Sequence, residues 1–119
     1  MATVPTPFLQ QVNPPANSQV VAFEVPREVV LGTLSVRVLN KSKQNIKFSW
    51  WLTPGGVGTP EDRHLIQSEL ELKPGASSVD FGFAVGAGYK VYVHSDNAAV
   101  IYTCNLIAHA DPALTVPTP

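Results

Sequence analysis

Side chains able to do chemistry are sparse in this 119-residue chain and are scattered along it. The three histidines, His64, His94 and His109, stand far apart. None has the His-x-x-x-His spacing by which a single element offers two ligands to a metal. Cys104 falls on an apolar alternation with Val100, Tyr102 and Leu106, where a thiol packs as a small hydrophobe. No Gly-x-Ser-x-Gly elbow or cysteine-protease signature surrounds any nucleophile. Glu69 and Glu71 share a strand face, the pattern of a solvated charged face. Glu61-Asp62 follows a glycine-rich stretch but lacks the alternating acids of a calcium loop. Gly55, Gly56 and Gly58 have neither phosphate-loop spacing nor a following Lys-Ser/Thr. These residues predict no enzyme, no cofactor and no metal centre.

Three surface features point instead to binding. Arg37, Lys41, Lys43 and Lys47 gather half of the 8 basic residues into one short stretch, with no acid between Val29 and Pro60. On one hairpin they predict a local basic patch that steers the protein onto an acidic partner surface. Strand alternation that turns Trp50 inward turns Trp51 outward, and Tyr92 shares the outward face of its strand with Lys90 and His94. Exposed Trp and Tyr are common at interface centres, so the pair is expected to form an aromatic contact surface. The third feature is the N-terminal segment, which has no charged side chain from Met1 to Phe23 but carries Val4, Phe8, Leu9 and Val12. Such residues suit a docked arm, lying on its own domain or binding a partner subunit, better than a solvated tail.

Proline and charge set the frame that must position these features. Charged residues are 14% of the chain, against a usual value of about 25%. The formal charge is −1, which argues against a nucleic-acid partner. Apolar runs are far shorter than a membrane helix needs, and no basic-then-apolar leader is apparent at the N-terminus. A single cysteine fits assembly in a reducing cytoplasm. Of the 11 prolines, Pro5, Pro7, Pro14, Pro15, Pro112, Pro117 and Pro119 lie near the two ends. They exclude helix and central strand there. The organisation read from this is an extended arm over 1–18, one β-domain over 19–109, and a proline-rich tail over 110–119.

Within the domain, apolar and polar residues alternate with period two. The stretches are Gln19 to Val25, Thr33 to Asn40, Asn45 to Leu52, His64 to Lys73, Val79 to Val85, Tyr89 to His94 and Ala98 to Ala108. Turn residues separate them: Lys41-Ser42-Lys43-Gln44, the Pro54 to Pro60 run, Pro74-Gly75, Gly86-Ala87-Gly88 and Asp96-Asn97. Val79, Phe81, Phe83 and Val85 read as one inward face, with Gly82 a candidate bulge. No helical apolar stripe is present. About seven antiparallel strands predict a single all-β domain, a β-sandwich or jelly-roll-like barrel.

The stretch from Leu31 to His109 also resembles a small β-sandwich protein encoded by many tailed bacteriophages. The resemblance rests on Leu34-Ser35-Val36-Arg37-Val38-Leu39-Asn40-Lys41-Ser42, on Phe48-Ser49-Trp50-Trp51, and on the turn Leu70-Glu71-Leu72-Lys73-Pro74-Gly75. Val85-Gly86-Ala87-Gly88-Tyr89-Lys90-Val91-Tyr92-Val93-His94-Ser95 and Asp96-Asn97-Ala98-Ala99-Val100 complete it. Tyr89 stands where those proteins usually carry an aspartate, so no role passes to it. The resemblance implies a structural virion protein. Small size, an all-β fold, low charge and two proline-rich arms make a capsid decoration (cement) subunit on the particle surface the first expectation, binding the major capsid protein as a homodimer or homotrimer because shell junctions lie on two- and three-fold axes. A tail, collar or fibre-attachment subunit and a carbohydrate-binding adhesion module are the alternatives.

Overall fold

The computed structural model describes residues 6–109. They form β1 (Thr6–Val12), β2 (Val20–Glu24), β3 (Leu31–Asn40), β4 (Ile46–Thr53), β5 (Leu65–Leu72), β6 (Ser77–Val85), β7 (Lys90–Ser95) and β8 (Val100–His109), with a short 3-10 turn at Asp62–His64. The strands make two four-stranded antiparallel sheets, ordered β1-β8-β3-β6 and β2-β7-β4-β5. Pairing is nested: β1 with β8, β2 with β7, β3 with β6, β4 with β5. The chain is thus one long two-stranded ribbon, folded over and closed by the β3–β8 and β4–β7 ladders. An eight-stranded double sheet wound this way is a jelly roll.

The all-β sandwich expectation therefore holds, with eight strands in place of about seven. The additional strand comes from the proline-rich arm. Pro7 lacks a backbone donor, and an edge strand is where that loss costs least; β1 is an edge strand. It lies on its own chain, with Phe8 opposite Leu106 and Val12 opposite Tyr102. Phe8 and Val12 pack against the core. Of the extended arm read over 1–18, the stretch Thr6 to Val12 is part of the domain. Val4 and the tail over 110–119 lie outside the described residues.

Period-two patterning fixes the interior. Leu34, Val36 and Val38 of β3 face Ile46, Phe48 and Trp50 of β4, with Val91 and Val93 of β7 and Tyr102, Cys104 and Leu106 of β8 filling the space between the sheets. Phe48 meets Tyr102 edge-on with centroids 6.4 Å apart, and Trp50 meets Phe83 edge-on at 5.3 Å. Edge-to-face stacking adds to the area these rings bury.

The strand over Ser77–Val85 departs from a single inward face. Ser35 pairs with Phe81 while Leu34 pairs with Phe83, so Gly82 is an extra residue against the ladder. Its φ of +88° is one that glycine adopts without penalty. One inserted residue reverses the side-chain phase. Phe83 and Val85 point into the core, whereas Val79 and Phe81 point to solvent and Asp80 turns inward.

The Lys41-Ser42-Lys43-Gln44 link is likewise not a hairpin within one sheet: it carries the chain from β3 in the first sheet to β4 in the second. Buried Asn40 holds it. Its Nδ2 donates to the carbonyls of Gln44 (2.8 Å) and Leu72 (3.0 Å), and its Oδ1 accepts from the Ser42 amide (2.9 Å) and hydroxyl (2.7 Å). Both donors are used, and the oxygen accepts twice, so a fully buried polar side chain is tolerated.

Two buried acids make the core sensitive to alkali. Burial pushes the Cys104 thiol up to about 12, and burial raises the Tyr102 phenol in the same direction. Because the folded state keeps these protons longer than the unfolded chain, their contribution is complete below the ordinary thiol value. It is lost as pH climbs through the folded value. Urea midpoints are therefore expected to fall from about pH 9 upward, and Cys104→Ala is expected to flatten that decline. A midpoint unchanged between pH 8 and pH 11 would contradict this.

Candidate docking surface

The basic residues do not form one patch. Arg37 projects from the outer face of the first sheet, between the inward residues Val36 and Val38. Lys47 projects from the outer face of the second, paired with Glu71, and its backbone N–H donates to the Asp96 carboxylate at 3.0 Å. Only Lys41 and Lys43 remain together, exposed on the crossing at one end of the sandwich. The physical reason is the sheet switch: residues on either side of it face opposite sides of the molecule.

The aromatic pair is also corrected. Trp51 and Tyr92 are cross-strand partners on the outer face of the second sheet, as alternation requires. Tyr92, however, is 9% exposed, and its hydroxyl donates to the Gly58 carbonyl at 3.2 Å. The Pro54–Pro60 loop folds back over it. Trp51 is half-buried, between Tyr92 and Leu65 in register. The two rings do not form an open platform, and the N-terminal strand, which belongs to the other sheet, is not what covers them.

Chemistry-bearing groups remain apart in three dimensions. His64 is buried, and its Nδ1 accepts the Glu61 backbone N–H at 2.9 Å, closing the 3-10 turn. His109 shares a 3.0 Å hydrogen bond with Thr33 Oγ1. Among the described residues no group of three or more His, Cys, Asp or Glu side chains is placed to hold a metal. No helix there is long and apolar enough to cross a membrane.

What the tertiary structure does assemble is a sparsely charged face on the first sheet. Its central cross-strand rows are Leu9–Asn105–Ser35–Phe81, Gln11–Thr103–Arg37–Val79 and Ile101–Leu39–Ser77, with Ile107–Thr33–Ala84 and His109–Leu31 beyond them. Phe81 is 76% exposed, Leu9 68% and Val79 50%. Arg37 is the one charged side chain in the central rows. The sequence marked Leu9, like Phe8, as an apolar anchor of the arm, without a direction. Val79 and Phe81 were read as inward, because the reading carried one alternation through Gly82.

The edges of both sheets are less suited to pairing. β1 carries Pro7, the β2–β7 ladder shifts between Val21 and Phe23, the β4–β5 ladder shifts twice, and β6 carries the Gly82 bulge. Bulges and prolines are how edge strands avoid strand addition.

A scan against protein-family models and a search of curated proteins gave no match.

Proposed function

We propose that this protein is a structural virion subunit, a capsid decoration (cement) protein of the tailed-phage type that binds the assembled major-capsid lattice. The observation that carries the reading is the outer face of the first sheet. Phe81, Leu9 and Val79 stand on it in water, with a single charge among them. Phe81 and Val79 stand at one edge of the sheet and Leu9 at the other, with Asn105, Ser35, Thr103 and Arg37 between them, and this mixed face is the contact surface the proposal uses. The jelly roll, a frame used by viral capsid domains as well as lectins and cupins, is compatible with this function without assigning it. The likeness of residues 31–109 to phage β-sandwich proteins supplies the virion context.

A protein that binds only the assembled shell stabilises it by RT ln(1 + [L]/Kd), about 2.7 kcal/mol at a hundredfold excess over Kd. Particles lacking the protein are expected to melt higher when it is added back, with hundreds of copies bound per particle by mass spectrometry. A count of a few to tens would move it to a tail or collar position, and no binding would remove the virion reading. Lys41→Gln with Lys43→Gln is expected to slow docking several-fold at low salt and to flatten its salt dependence. Exposed charges act mainly on association rate. Lys47→Gln, next to Glu71 and Asp96, is expected to do far less.

A further inference from the structure

We propose that one end of the sandwich anchors this protein to the carboxylates of an acidic protein surface, with Lys73 joining Lys41 and Lys43 there. This deepens the reading above and rests on it only for the identity of that surface as the capsid lattice.

The lysines come from crossings far apart in sequence, and buried Asn40 brings them together. Lys41 follows Asn40 directly. The Asn40 Nδ2 donates to the Leu72 carbonyl at 3.0 Å, just before Lys73. The Gly75 N–H donates to the Asn40 carbonyl at 2.9 Å, and the Asn40 N–H donates to the Ala76 carbonyl at 3.0 Å. The turn carrying Lys73 is thus clamped against the crossing that carries Lys41 and Lys43. That turn is closed by the Ala76 N–H on the Lys73 carbonyl at 3.0 Å, with Pro74 second and Gly75 third at φ +77°. These are the residues a type II turn requires. All three lysines are exposed.

Little negative charge offsets them. The Lys41 N–H donates to the Ala99 carbonyl at 2.8 Å, which sets the turn over 96–99 beside them. Asp96 is the one acid on the loops of this end, and its Oδ1 accepts the Lys47 backbone N–H. The link over 13–19 carries no charge. At the opposite end the loops over 25–30, 54–64 and 86–89 set Arg27 and Arg63 against Glu28, Glu61 and Asp62, with Arg63 held by Glu61 at 3.2 Å. Charge is therefore polarised along the strands, positive where the lysines gather and negative at the other end. An acidic surface draws one end and repels the other, so it orients the domain as well as attracting it. The domain stands on its lysine end. Arg37, in the second row back on the outer face of the first sheet, carries the contact round the corner onto that face.

The chemistry favours carboxylates over a nucleic acid. The loops of this end hold no aromatic side chain on which a base could stack, and no arginine to fork onto a phosphate. Lysine ammoniums are point charges that single carboxylates satisfy.

The test uses the full chain with a hexaglutamate peptide, and a thymidine oligonucleotide of equal charge as the rival. Amide shifts in nitrogen-15 NMR are expected to move on 41–45, 73–76 and 96–99 as the peptide is added, and to move less as salt rises. Lys73→Gln is expected to weaken binding about two- to threefold, and the triple change of Lys41, Lys43 and Lys73 to Gln about tenfold, with unchanged circular dichroism. Arg27→Gln, the same charge change at the other end, is expected to leave binding as it was.

Equal weakening by Arg27→Gln and Lys73→Gln would overturn the proposal, since net charge and not this end would then govern. Tighter binding of the oligonucleotide, or no shifts at these loops, would overturn it too. Phage shells lacking the protein separate it from the functional reading. Shell binding indifferent to Lys73→Gln and to salt would keep the virion reading and remove the anchoring end. Hexaglutamate binding by a protein that ignores the shells would keep the end and remove the virion.

Discussion

Removing residues 1–12 is expected to cost this protein about 3–5 kcal/mol and to leave a chain that self-associates. Half of the expected loss is apolar. Phe8 and Val12 pack on the core opposite Leu106 and Tyr102, and burying side chains of that size contributes about 1.5–3 kcal/mol each when complete, less here because neither is fully covered. The remainder is the β1–β8 ladder from Thr6 to Val12, whose hydrogen bonds contribute roughly 0.5–1.5 kcal/mol each before the entropy of ordering the strand is subtracted. Against a usual stability of about 5–15 kcal/mol, that is a large share. The truncated chain would also bare β8, a ten-residue strand, as a sheet edge with none of β1's proline protection. Thermal melting and light scattering on the truncated chain check this. A monodisperse protein with an unchanged melting temperature would show that β1 contributes nothing to the fold.

The second large effect lies where the two sheets are tied together by a polar contact. Trp50 is fully buried, and its Nε1 donates to Asp80 Oδ2 at 2.9 Å; Gln67 Nε2 reaches both oxygens of the same carboxylate at 3.3 and 3.4 Å. Asp80 is on β6 of the first sheet, and Trp50 and Gln67 are on β4 and β5 of the second. Trp50→Ala removes the largest core side chain and its edge contact with Phe83, and is expected to cost about 3–5 kcal/mol. Asp80→Leu leaves the indole N–H without a partner, at about 1–3 kcal/mol. Asp80→Asn retains an acceptor and is expected to cost less than Asp80→Leu. Urea denaturation of the three variants, with unchanged slope, gives the ranking. If Asp80→Leu is as stable as Asp80→Asn, the hydrogen bond to Trp50 does not hold the sheets together.

Both effects, and the face proposed for association, depend on contacts made between residues far apart in sequence. The local content of the chain was legible without them. Alternation of apolar residues gave the strands from β2 to β8 nearly in place, because a strand between a core and water must alternate whatever it pairs with. Turn residues marked the joints. The outward direction of Trp51 followed from the same period, whereas the opposite directions of Phe8 and Leu9 in the arm did not.

Four things were decided only by tertiary structure. Prolines in the arm excluded a central strand, but whether a proline-bearing segment finds an edge depends on an open partner, and β8 supplies one for Thr6–Val12. Gly82 could be suspected as a bulge, yet a bulge exists only against a paired strand. It was the pairing with Leu34 and Ser35 that turned Phe81 and Val79 out and Asp80 in toward Trp50. The basic cluster was contiguous in sequence and divided in space because the chain changes sheets at Asn40–Ile46, a step that depends on where β4 finds its neighbours β5 and β7. Tyr92 had the period of an exposed residue and was buried by a loop that arrives from Pro54–Pro60. Alternation reports which side of its own strand a residue takes. What stands on that side, core or water or a returning loop, is set by the long-range pairing of the ribbon, and no local spacing encodes it.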